Sequence, residues 1–160
     1  MSRIKVLCIG NALVADDAFG PLVYEHFIAN GTSRYPDTAF CLLGVGGLDL
    51  LSEFEGEDMV VVVDAVSSGS EPGTLSVLPW QHIEKVSGTP VTSHDIGLDE
   101  VMKIGRMLQP EQMPKEVIFV GVEGKDFSSI GHSLSPEVQH AIPKALQAIE
   151  NILAQSIEVS

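Results

Sequence analysis

The sequence has few cysteines and few basic residues. Its 160 residues include two cysteines, and 9 Lys and Arg stand against 22 Asp and Glu, for a formal net charge of −13. Two cysteines are too few for a disulfide framework, and Cys8 and Cys41 both lie in apolar runs, where a small buried side chain is the usual role. Because nucleic acids and anionic membrane surfaces are themselves negative, the acidic balance opposes binding to either and favours a cationic partner.

Long apolar segments are also missing. No purely apolar stretch is longer than Met59–Val63, which is far short of the roughly 20 residues that cross a bilayer. The segment Met1–Val6 leads into an apolar run without the features of a signal peptide. We therefore expect a soluble, cytoplasmic protein. Its length, near the about 100–200 residues of one domain, predicts a single domain over residues 1–160.

Several common catalytic and nucleotide-binding motifs are absent. The chain has no Gly-x-Gly-x-x-Gly after its first predicted strand, no Gly-x-x-x-x-Gly-Lys-Ser/Thr, and no His-Glu-x-x-His, Gly-x-Ser-x-Gly or Cys-x-x-Cys. These absences argue against a nucleotide-binding fold, a zincin, an elbow-type serine hydrolase and a thioredoxin-like redox site. The function has to be read from other residues.

Short apolar runs alternate with helical patterns, which indicates an α/β layered domain. The predicted strands are Ile4–Ile9, Thr38–Leu43, Asp58–Val63, Thr74–Leu78 and Glu116–Val122. The predicted helices are one from about Phe19 to Asn30, a short one at Asp49–Phe54, one over Asp95–Leu108, and a last one from Ser135-Pro136 to about Ser156 with a kink at Pro143. Residues between Pro79 and Ser93 show no clear period and are predicted to form a loop.

Two of the strands have predictable places in the sheet. The four consecutive valines Val60–Val63 do not alternate with polar residues, a pattern typical of a central strand that is buried on both faces. The connection from Ala65 to Thr74 is too short for a crossover helix, so Thr74–Leu78 should run antiparallel to its predecessor, at an edge.

Acidic and imidazole side chains follow the predicted strand ends. Asp16 and Asp17 come after the first strand, Asp64 closes the third, and His94 ends the long loop. If the first and third strands are neighbours, these groups open into one crevice. Two carboxylates and an imidazole suit a divalent metal such as Zn²⁺ or Ni²⁺. Alternatively, Asp16 or Asp17 caps the first helix, and His94 is an ordinary polar loop residue.

Three motifs resemble those of the hydrogenase maturation peptidases, which act on the large subunit of [NiFe] hydrogenases. They are the segment Gly10–Gly20, the triplet Val63-Asp64-Ala65, and Ser93-His94 with Leu98 following. The resemblance covers nearly the whole chain, in order. It implies a three-layer α/β/α domain with a five-stranded mixed sheet and one antiparallel strand, in agreement with the interpretation of Thr74–Leu78.

The resemblance also implies an endopeptidase that removes the C-terminal extension of the hydrogenase large-subunit precursor once nickel is in place. Carried over position by position, the metal-contacting and catalytic residues of the family fall on Asp17, Asp64 and His94. The nickel is then borne by the substrate, other divalent metals can substitute in vitro, and the enzyme is expected to be a monomer. Whether the metal is catalytic or only recognised stays open.

The chain departs from the family pattern in two places. Ala18 replaces a frequent glycine, and Val45-Gly46-Gly47-Leu48 replaces a frequent Asp-Gly-Gly-Thr, which bears on how that loop selects substrate. Two other functions stay open at this point. One is a non-catalytic nickel metallochaperone or docking protein that uses the same three residues, and the other is a metal-dependent hydrolase of small amides.

Overall fold

A computed structural model describes residues 3–44, 46–83 and 97–159, and these form a five-stranded mixed sheet with helices on both faces. The strand order is β2-β1-β3-β5-β4. The strands are β1 (Ile4–Ile9), β2 (Thr38–Leu43), β3 (Met59–Val66), β4 (Leu75–Pro79) and β5 (Glu116–Glu123). The helices are α1 (Phe19–Ala29), α2 (Leu98–Leu108) and α3 (Pro136–Val159).

The central position predicted for the valine-rich strand is confirmed. β3 pairs in parallel with β1 on one side and with β5 on the other, and Val60–Val63 are fully buried. Both boundaries were wrong: the strand begins at Met59 instead of Asp58, and it does not close at Asp64 but continues through it to Val66. Asp64 pairs with Gly121 of β5, whose ladder carries the strand three residues past the predicted end.

The prediction for the fourth strand is also confirmed. β4 pairs antiparallel with β5 and lies at the edge of the sheet. Its bounds are one residue later than predicted. The connection from β3 is a short turn that contains Gly69 and Gly73, both with positive φ (+91° and +87°), so the chain reverses without a helix.

Alternate residues of the strands feed two separate cores, which gives the three layers. One core lies under α1 and α3 and contains Phe19, Val63 and Ile149. The other lies under α2 and a 3₁₀ segment at Gly47–Glu53 and contains Leu7, Val62 and Leu98. The expected α/β/α architecture is therefore confirmed.

The predicted helical segments are helical in the described residues, but their bounds differ from the predicted ones. The segment predicted as a short α-helix at Asp49–Phe54 is the 3₁₀ segment Gly47–Glu53. In the described part of the chain α2 begins at Leu98. α3 starts at Pro136, contains Pro143 and continues to Val159, three residues past the predicted end. None of the helices in residues 3–44, 46–83 and 97–159 combines the length and the apolar character needed to cross a bilayer.

Candidate functional site

The segment between β1 and α1 folds back onto the end of its own strand. Gly10 has φ +148°, and a Cβ placed on it would lie 2.0 Å from the backbone oxygen of Asp17. Gly20, in the first turn of α1, is equally tight, because a Cβ there would lie 2.1 Å from the Ile9 oxygen. These two glycines allow the 3₁₀ turn Ala15–Ala18 to lie against the carboxyl edge of the sheet, where it also contacts β3.

Asp17 has one carboxylate oxygen engaged and one available. Its Oδ2 accepts a hydrogen bond of 3.0 Å from the backbone N–H of Asn11. Its Oδ1 is buried and has no hydrogen-bond partner among the described residues. A buried oxygen without a hydrogen-bond donor destabilises the folded protein when nothing is bound. This atom is therefore suited to contact a cation or a donor on a bound molecule.

The neighbouring Asp16 is a structural clamp. It is fully buried, and its carboxylate accepts hydrogen bonds of 2.7–2.9 Å from the N–H groups of Lys125, Asp126 and Ser135 and from the Ser135 hydroxyl. Burial alone would raise the pKa of Asp16, but these donors outweigh it and hold the pKa below its usual value. Asp16 therefore ties the turn to the start of α3.

The alternative that one of this pair caps α1 is wrong, because the N-terminus of that helix has no side-chain cap. The turn is instead held by contacts on both sides of Ala15. This is a non-glycine residue with φ +27°. The Asp16 N–H donates to the Asp126 oxygen at 2.9 Å, and Val14 forms a β-bridge with Ile130. A backbone conformation of this kind costs about 1–3 kcal/mol and persists where its surroundings enforce it.

Asp64 is fully buried at the same edge of the sheet. Since Cys8 lies opposite Val63, Asp64 is level with the end of β1, close to where the Asp17 segment begins. Side chains alternate along a strand, so Asp64 shares the face of Val62 and Val66, the face covered by α2. The first and third strands are neighbours, which was the condition for a shared crevice, and both acidic segments lie at one edge of the sheet.

His94 lies outside the described residues, as does Val45. Within the part of the chain that the structure does describe, no group of three or more His, Cys, Asp and Glu residues could hold a metal ion. The three-residue site therefore stays a prediction. Among the other histidines, His82, His132 and His140 are exposed.

A third carboxylate is buried at this edge of the sheet, and the sequence analysis did not predict it. Glu123, at the end of β5, accepts hydrogen bonds from the Ser68 N–H and hydroxyl and from the Gly69 N–H at 2.7–3.1 Å. It holds the turn that follows β3. The available signal was an acidic residue directly after a buried apolar run, the same pattern that singled out Asp64.

Comparison with known proteins gives a consistent result. Residues 34–152 match the family model described as hydrogenase maturation protease. The chain is 32% identical over 96% of its length to the hydrogenase expression/formation protein HupD of Bradyrhizobium diazoefficiens, 79% of which is covered.

Two solved structures are similar over most of this chain. The hydrogenase maturating endopeptidase HybD from E. coli has a TM-score of 0.77 and 26% identity, with 96% of this chain and 93% of that chain covered. The [NiFe] hydrogenase maturation protease HybD from Thermococcus kodakarensis has a TM-score of 0.72 and 26% identity, with 94% and 99% covered.

Proposed function

This chain belongs to the hydrogenase maturation protease family, and from that membership we propose that it recognises its substrate through a nickel ion that the substrate carries. The protein is an endopeptidase that processes the C-terminus of the hydrogenase large subunit. The observation that carries the proposal is the buried, available Oδ1 of Asp17 at the edge of the sheet that also holds Asp64.

The proposed recognition residues are Asp17, Asp64 and His94. Two carboxylates and an imidazole form an oxygen and nitrogen donor set that suits a borderline divalent metal. With three protein ligands, the metal keeps open positions for groups of the substrate. Binding through these residues places the nickel-bearing part of the precursor, and with it the scissile peptide bond, at the carboxyl edge of the sheet.

The same residues supply proton acceptors for hydrolysis. Cleavage of a peptide bond needs a base that takes a proton from water and an acid that returns one to the leaving amine. Asp17 and Asp64 offer carboxylates for the first task through an oxygen that does not contact the nickel, and His94 offers an imidazole for the second while it is not itself bound to the nickel. A bound nickel ion would polarise the scissile carbonyl or position the water.

The test compares the nickel-loaded large-subunit precursor with the nickel-free one. We expect truncation of the loaded precursor, detected by mass spectrometry, and none of the nickel-free form. Asp17→Asn and Asp64→Asn should each lower the rate of truncation about a hundredfold or more, the usual effect of losing an acid or base. Asp37→Asn is the matched control, because Asp37 is exposed at the opposite edge, just before β2, and it should leave the rate unchanged.

Other outcomes would assign another function. Binding of the loaded precursor without truncation would indicate the docking protein or metallochaperone. Cleavage of short amides in the absence of any hydrogenase precursor would indicate the small-amide hydrolase. Unchanged processing by both Asp→Asn variants would contradict the proposed site.

Four other expectations stay predictions. They are a cytoplasmic location, a monomeric state, a single domain over residues 1–160, and the lack of nucleic-acid and membrane binding.

A further inference from the structure

Two exposed apolar residues, Leu13 and Ile130, lie on neighbouring segments next to the Asp17 turn. Leu13 is 68% exposed and Ile130 is 76% exposed. Their segments are joined by the β-bridge between Val14 and Ile130 and by a hydrogen bond of 2.9 Å from the Gly131 N–H to the Leu13 oxygen. The backbone therefore holds the two segments together, although neither side chain contributes to a core.

A groove of about 470 Å³ lies between the starts of α1 and α3, and its lining includes Ala12 and His132, which are close in the chain to Leu13 and Ile130. Its walls are mostly apolar and include Ala12, Ala18, Pro21, Leu22, Leu134 and Ile142. Glu25, His132 and Gln139 add polar groups along it. Since Ala12 and Ala18 lie on either side of Asp17 in the chain, the groove opens next to the Asp17 turn.

We propose that Leu13, Ile130 and this groove form the surface on which the precursor polypeptide docks beside the site, an inference that rests on the proposed function. The occupant is an apolar segment of the precursor that carries no acidic side chains. The net charge of −13 and Glu25 in the groove wall disfavour an acidic one. A second copy of this chain fits less well, because it would cover the edge that the substrate must reach.

The experiment measures precursor truncation by the Leu13→Ser/Ile130→Ser variant as a function of precursor concentration. Met107→Ser/Leu108→Ser is the matched control. These two residues are 81% and 74% exposed, but they end α2 at the opposite edge of the sheet. We expect the first variant to raise KM about tenfold, or about 1.4 kcal/mol, with kcat within about twofold of the unaltered enzyme. The control should change neither.

Calorimetric titration with the nickel-loaded precursor, carried out in an Asp64→Asn background that is expected to truncate it about a hundredfold more slowly, measures docking apart from turnover. We expect the same weakening, about tenfold in Kd. Because both side chains are exposed, the variant should melt at the temperature of the unaltered protein. The single Ile130→Ser variant repeats the test with a smaller change.

Three results would overturn the docking surface. They are an unchanged KM and Kd, a loss confined to kcat, and a dimer of the unaltered protein that the first variant dissociates in sedimentation. If the unaltered enzyme fails to truncate the loaded precursor, the proposed function fails instead, and the calorimetric Kd still decides whether this surface binds the precursor.

Discussion

Asp16 and Asp17 are adjacent in the chain, yet the structure gives them opposite roles. Asp16 accepts four hydrogen bonds from residues that are 109 to 119 positions away. Asp17 accepts one, from Asn11, and keeps a buried oxygen available. The first carboxylate holds the turn in place, and the second is the one that can face a substrate.

We predict that Asp16→Asn destabilises the protein by about 2–4 kcal/mol at neutral pH. The amide that replaces one oxygen is a donor and would face N–H groups that have lost their acceptor, and an unsatisfied buried donor is expensive. The free energy of unfolding from urea titration measures the loss. Asp17→Asn is the control, because the asparagine oxygen still accepts from Asn11. Equal losses in the two variants would contradict the division of roles.

At the scale of elements, the contact between the start of α1 and the end of β1 sets the position of the Asp17 turn. Gly20 permits this contact, since a Cβ there would lie 2.1 Å from the Ile9 oxygen, a backbone atom that cannot rotate away. Within a helix, alanine is otherwise better than glycine by about 1 kcal/mol. Any loss of stability caused by alanine at this position therefore reports how the helix packs against the strand.

Gly20→Ala should lower the free energy of unfolding by about 2 kcal/mol or more, since overpacking outweighs the gain in helix propensity. The displaced turn should also lower the rate of precursor truncation. Gly44→Ala is the matched control. Gly44 has open space where its Cβ would be, so alanine there should be neutral or stabilising by up to about 1 kcal/mol. A neutral Gly20→Ala would show that this contact does not position the site.

On the scale of the whole molecule, the edge opposite the candidate site is held by a buried ion pair. Lys5 Nζ lies 3.0 Å from Glu57 Oε2 and 3.2 Å from Glu55 Oε2. The Glu57 side chain is 4% exposed and that of Glu55 is 70% exposed. Burial acts to raise the pKa of Glu57, but the N–H groups around it and Lys5 outweigh burial and lower it.

This pair predicts a loss of stability in acid. A carboxyl group whose pKa is lower in the folded state stabilises the fold above its unfolded pKa, about 4.3 for glutamate, and that stabilisation disappears as the pH falls through the folded pKa. Glu57→Gln should cost about 1–3 kcal/mol at pH 7, because Lys5 keeps Glu55 as a partner. It should also flatten the decline of the free energy of unfolding below about pH 4.3.

Glu55→Gln is the control for this prediction. Glu55 contacts the same lysine but is largely exposed to solvent, where ion pairs contribute little. Thermal and urea unfolding between neutral and acidic pH measure both variants. An effect of Glu55→Gln as large as that of Glu57→Gln would mean that burial does not decide the contribution of this pair.

The sequence by itself determined the parts of this protein that depend on local pattern and chain length. Four valines in a row require burial on both faces, so β3 is central, and a connection too short for a helix makes β4 antiparallel. Asp17 and Asp64 were identified from motifs. Only the tertiary structure decided which aspartate of the pair is the clamp, because the donors of Asp16 come from Lys125 to Ser135. It also decided that β3 continues past Asp64, since the ladder with β5 extends it, and that the segments of Leu13 and Ile130 are paired. Each depends on contacts between residues distant in the chain, which no local pattern records.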